Sequence, residues 1–194
     1  MKKPIVGAIA LMVLLLAACA ETPKEQSFAE ITFQHLPPIK LDVGEIKYVS
    51  EFKASLAPPH VEHELPVKID QSVQRWTRDR LTSTGNPGAY AVVTLKDASV
   101  IAKKLEKKTG LSGFFTNDQS DQYDFHVSAE IKIVTVNGSK GFAAAEAFQS
   151  KTVSEDATLN ERDQMFFVKT ETLMREFNTQ MEQNIYTFLG PYLK

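Results

Sequence analysis

His60-Val61-Glu62-His63-Glu64 is the one run of this chain in which metal-ligating side chains crowd together. Two imidazoles three residues apart, with carboxylates beside them, would hold zinc if both faced one way and a third ligand arrived from elsewhere. The helical metalloprotease spacing is His-Glu-x-x-His, which this run lacks, and Pro59 and Pro66 on either side argue against a helix. A polar turn whose histidines make loop hydrogen bonds accounts for the run. No metal is therefore expected, and His60 and His63 are the only candidate ligands should one bind. Asp118, Asp121 and Asp124 stand at i, i+3 and i+6, but the glycine and closing glutamate of a calcium loop are missing, so they read as a solvated acidic loop. Arg75, Arg78 and Arg80 surround Trp76 and would suit nucleic acid by composition; a charged helix face with the Trp turned inward is the simpler reading. His35 and His126 are isolated, and His126 falls on the polar phase of its strand. No Gly-x-Ser-x-Gly, phosphate loop or dinucleotide glycine signature is present, so no catalytic residue is assigned and a non-enzymatic role is expected.

Two apolar features point to contact rather than chemistry. Phe114 and Phe115 sit side by side in a glycine-flanked loop, where both cannot reach a core that lies elsewhere. Met165-Phe166-Phe167-Val168 is apolar around a full helical turn, so one residue of it, Phe167, is a candidate partner contact with Phe114 and Phe115. A loop folded back over a sheet edge is the alternative for the phenylalanine pair.

The elements that must position these residues follow from periodicity. Ile39 to Phe52 alternates, with its apolar phase switching beside Gly44, which predicts a strand with a bulge. Ile69, Val73, Trp76 and Leu81 predict a helix over about Val67 to Ser83, capped near Gly85, that exposes Arg75, Arg78, Asp79 and Arg80. Ala89 to Leu105 reads as a long strand with a second phase break near Asp97, although its latter half could pass for a helix. A loop from Glu106 to Gln122 precedes the clearest strand, Tyr123 to Ile133. The turn Asn137 to Gly141 folds that strand back onto Phe142 to Val153. Thr158 and Glu161 form a capping box, and Phe166, Thr170, Leu173, Phe177, Met181, Ile185 and Phe188 trace the stripe of a closing helix that ends at Gly190-Pro191. The order strand, helix, three strands, helix predicts an α+β two-layer sandwich: a mostly antiparallel sheet with two helices on one face.

The amino terminus carries the strongest signal. Met1-Lys2-Lys3-Pro4 is a short cationic start, and Ile5 to Ala18 runs apolar with only Gly7 interrupting; this is a secretory signal, too short for a spanning helix of about 20 residues. The run ends Leu16-Ala17-Ala18-Cys19, and Cys19 is the single cysteine of the chain. These four residues resemble the lipobox of bacterial lipoproteins. The resemblance implies cleavage between Ala18 and Cys19, a diacylglycerol on the thiol and an acyl chain on the new amino terminus. Ala20 follows the cysteine where the inner-membrane retention signal would have aspartate, so the resemblance implies the outer membrane, with the domain facing the periplasm. Residues 1–18 are then signal peptide, 19–30 the lipidated cysteine and a polar tether, and 31–194 one domain.

Of 194 residues, losing 18 leaves 176, enough for one well-packed domain. Losing Lys2 and Lys3 takes the net charge from −2 to −4, which excludes a nucleic-acid role and leaves the lipid as the means of membrane attachment. The Trp-bearing first helix, "VQRWTRDRL", and the long closing helix resemble in topology two groups of Gram-negative lipoproteins: that of the lipopolysaccharide-assembly barrel, and auxiliary subunits of ABC-type lipid transport. The string "PPHVEHELP…RWTRDRL…LKDASV…GFFTNDQSDQYD…TVSEDATLNERDQ" resembles uncharacterised lipoproteins of alphaproteobacteria. The likeness implies a binding or assembly subunit of an envelope complex, with no cofactor beyond the covalent lipid on Cys19. A small amphiphile or lipid carrier, holding its ligand between sheet and helices, is the second reading, and a metal-dependent hydrolase built on His60 and His63 the third.

Overall fold

The computed structural model describes residues 26–105, 119–138 and 140–194. Its elements are strand β1 (Ile39–Leu41), strand β2 (Glu45–Ser50), helix α1 (Ile69–Arg80), strands β3 (Leu81–Ser83), β4 (Ala89–Asp97), β5 (Val100–Lys104), β6 (Gln119–Thr135) and β7 (Lys140–Ser154), and helix α2 (Leu159–Phe188). The fold is α+β, with two helices against one face of a mostly antiparallel sheet. The five-stranded sheet runs β2-β4-β6, with β5 and β7 both paired to β6. β2 lies parallel to β4, and β1 parallel to β3, because α1 supplies the crossover that a parallel connection needs.

The alternation read in the sequence sets the layers. Val93 lies opposite Ile131, and Ile131 opposite Ala143; all three are buried under the helices. β7 turns small residues inward, Ala143, Ala145 and Ala147, and the long side chains of α2, Leu173, Met174, Phe177 and Met181, fill the space above. The hairpin turn falls where expected, with Gly138 at φ +83°, a left-handed conformation natural to glycine.

Both phase switches are breaks. β1 and β2 are separate strands, and β4 gives way to β5 after a register shift between Leu95 and Asp97, whose carboxylate accepts from the Ala98 amide at 2.8 Å. α1 is shorter than expected and passes directly into β3, so Gly85 serves the loop after β3 and not the helix end. The capping box on α2 is present, Glu161 N–H donating to Thr158 Oγ1 and Thr158 N–H to Glu161 Oε2. Asp121 and Asp124 belong to β6 and not to an acidic loop. Phe188 is 60% exposed, and Leu189 takes its place in the core.

Thr170 lies at the centre of the α2 stripe, fully buried, with its hydroxyl unpartnered among the described residues. An unsatisfied buried hydroxyl costs free energy that a methyl does not. Thr170→Val is therefore expected to raise stability by about 1 kcal/mol, read as a higher melting temperature; a lower one would mean the hydroxyl has a partner.

Candidate functional site

The most built feature of the molecule is a strap, residues 28–37, laid across both helices. Its sequence has no regular structure of its own, so its polar backbone must find partners elsewhere. Phe33 N–H donates to Asp79 Oδ2 at 2.8 Å. Arg75 donates to the Ile31 carbonyl at 3.3 Å and pairs with Glu30 at 2.6 Å. Arg80 donates to the Pro37 carbonyl. Ile31 and Phe33 enter the core, and the Phe28 ring meets that of Phe167 at 5.2 Å between centroids. Packing thus reaches back into the segment read as tether, whose last three residues touch the domain.

Beneath the strap lies a buried polar centre. The Arg80 guanidinium is fully buried; its Nε donates to Asn178 Oδ1 at 3.0 Å and its Nη2 pairs with Glu182 at 2.7 Å. Trp76 Nε1 donates to the same Asn178 oxygen at 2.9 Å. The helix periodicity predicts Arg75 and Arg80 on an exposed charged face, and the structure corrects this: both are buried. The signal was available, because Ile69, Val73, Trp76 and Arg80 step by four, three and four along one stripe. A buried guanidinium needs full pairing, and the strap carbonyl, Asn178 and Glu182 provide it.

Between the strap and α2 runs a groove of about 510 Å³. Ile31, Phe33, Leu36 and Phe167 give it apolar walls, and Glu171, Arg175 and Asn178 give it polar ones. Phe167 is thus brought to a cavity.

The other sequence candidates fare differently. Cys19, Ala18, Phe114 and Phe115 lie outside the described residues. His60 precedes a 3-10 turn, Glu62–Glu64, and His63 lies within it, with His60 Nδ1 3.5 Å from Glu62 and His63 Nε2 3.8 Å from Glu64. Glu62 is buried and accepts from the Ser55 amide at 2.7 Å, which occupies it as a loop anchor. Among the described residues no group of three or more ligating side chains could hold a metal.

A site that sequence reasoning passed over lies on the open face of the sheet. His126 Nδ1 is 2.6 Å from Asp97 Oδ2, its Nε2 3.8 Å from Glu146, and its ring stacks on Phe148 at 4.1 Å. The hairpin register places Phe148 opposite His126, so the turn alone could have found the pair. Beside it, Asp124 is bonded by Lys103, Gln122 and Ser150. Burial pushes the Asp124 carboxyl up, but the Lys103, Gln122 and Ser150 hydrogen bonds and the Lys103 charge outweigh it and hold the carboxyl below its ordinary value. Phe148, Phe142 and Tyr90 expose 62%, 51% and 43% of their surface here.

No family model matches the chain, and no curated protein matches it. Among solved structures it is similar to the rare lipoprotein B of Shewanella oneidensis, at 11% identity and TM-score 0.41 over 74% of this chain and 95% of that one. A minor lipoprotein of Acinetobacter baumannii gives 11% identity and TM-score 0.39 over 73% and 92%. A protein of Xanthomonas campestris gives 9% and 0.36 over 84% and 92%. Likeness this low carries no argument about activity.

Proposed function

We propose that this chain is an outer-membrane lipoprotein, anchored through acyl groups on Cys19, whose periplasmic domain is a non-enzymatic binding or assembly subunit of an envelope transport or assembly system. The observation that supports it is the strap. The chain coming from the lipobox cysteine meets the domain at Phe28 and is clasped to the helices by Arg75, Asp79 and Arg80. Phe28 lies nine positions after Cys19, a reach of at most about 30 Å, so the domain stays near its bilayer. The tether joins the helix layer, and among the described residues no element covers the opposite face of the sheet. Exposed Tyr90, Phe142 and Phe148 on that face supply the large apolar anchors typical of a contact centre.

A photoreactive amino acid at Phe148 in living cells is expected to crosslink the chain to a discrete envelope protein. The same probe at Leu159, more open still but at the start of α2, is expected to yield none. Equal capture at both positions, or none at Phe148, would contradict the docking role.

A further inference from the structure

The groove beneath the strap has the makings of a ligand site, and the strongest element is Asn178. Its side chain is 7% exposed, and its Oδ1 accepts from both Trp76 and Arg80. Both lone pairs are used, so the carboxamide cannot flip. Its Nδ2 is left with no partner among the described residues, and Asn178 lines the groove. The donor is oriented and opens on the groove, where an acceptor from outside can replace water.

Arg175, one helical turn from Asn178, and Glu171, two turns away, line the same groove. Spaced i and i+4, they could pair with each other, yet among the described residues neither makes an ion pair, and Arg175 reaches only Thr172 Oγ1 at 3.4 Å. The polar wall therefore presents a cation, an anion and an amide donor together. The apolar wall, Ile31, Phe33, Leu36 and Phe167, continues from it toward Phe28, where the tether leaves.

We infer that this groove binds one zwitterionic phospholipid of the membrane in which the chain is anchored. Its phosphate sits on Arg175 and the Asn178 amide, its ammonium on Glu171, and one acyl chain lies along Phe167 and the strap. A purely anionic lipid would meet Glu171 unfavourably, and a purely apolar ligand would leave the Asn178 donor unpaired. The volume, about 510 Å³, suits a headgroup with part of a chain. The identity of the source rests on the Cys19 anchor, which holds the groove within a short tether of the bilayer.

Trp76, the only tryptophan, bonds to Asn178 and reports on the site. The full chain, in a non-ionic detergent, is titrated with dihexanoyl phosphatidylethanolamine while Trp76 emission is followed. A saturable change is expected, at least fivefold weaker with dihexanoyl phosphatidylglycerol and absent with glycerophosphoethanolamine, which has the headgroup but no chains. Glu171→Gln with Arg175→Gln, two surface changes, should weaken binding about tenfold at an unaltered melting temperature. The proposal fails if no saturable change occurs, if the double variant binds as the parent does, or if headgroup alone or phosphatidylglycerol does as well. It fails too if only a Cys19→Ser chain responds, which would mean that the protein's own acyl chain fills the groove. The mass of the Cys19 peptide in the same sample separates the two claims. A lipidated chain that binds nothing overturns the groove alone; an unlipidated chain that binds leaves the groove standing without its anchor.

Discussion

Arg80→Ala is expected to destabilise the domain by about 3 to 5 kcal/mol, the range for removing one partner of a buried charge network. The guanidinium is fully buried and serves three acceptors: the Pro37 carbonyl of the strap, Asn178 Oδ1 and the Glu182 carboxylate. Truncation leaves the first two short of a donor, leaves a void at the crossing of the helices and frees the strap from its innermost bond. Glu182 is partly solvated, which keeps its residual penalty from dominating. Chemical denaturation should show a lower midpoint with an unchanged slope, because the sheet and its buried area persist. Arg80→Lys should recover less than half of the loss, since one ammonium on a flexible stem cannot reproduce the planar fork. A change below about 0.5 kcal/mol for Arg80→Ala, the level of an ordinary surface substitution, would show that the network is dispensable.

Phe166→Ala is expected to cost about 3 to 5 kcal/mol, and Phe188→Ala less than about 0.5. Both rings lie on the stripe that the sequence periodicity draws along the closing helix. Phe166 stands edge-on to Tyr123 at 5.0 Å and 89° and to Phe125 at 6.0 Å and 69°, so its removal opens the layer between α2 and β6. Phe188 faces solvent. From Ile185 the stripe can continue by three to Phe188 or by four to Leu189, and the end of the helix decides: Leu189 N–H donates to the Ile185 carbonyl at 2.9 Å and its side chain enters the core. Equal losses for the two variants in thermal unfolding would refute this placement of the helix end.

These two residues mark how far the sequence could be read. Alternation in β6 and β7, the turn at Gly138, the capping box and the break near Asp97 are local features whose causes lie within a few residues, and each was legible. Arg80 was not, although its stripe was: charge argues for solvent, and the partners that make burial tolerable, Asn178 and Glu182, lie about a hundred positions onward. The strap fails for a related reason. Ile31 and Phe33 are two apolar residues in a polar stretch, too few for a period, and their meaning comes from Arg75 and Asp79 across the fold. The polar phase of His126 is legible, but its partners are not, because they depend on register: Phe148 in the neighbouring strand and Asp97 at the bulge of another. The groove belongs to no segment of the sequence and appears only when the strap lies on α2.

The proposed role depends most heavily on Cys19. Its thiol, alone in the chain and at the end of a signal-like run, is the proposed attachment of everything else, from the tether to the strap to the membrane that would supply the groove. The decisive measurement is the mass of the amino-terminal peptide of the full-length gene product extracted from cell membranes. The expected chain begins at Cys19 and carries a diacylglyceryl group and an amide-linked acyl chain. A peptide that begins at Met1, or that contains Cys19 as a free thiol, would contradict it.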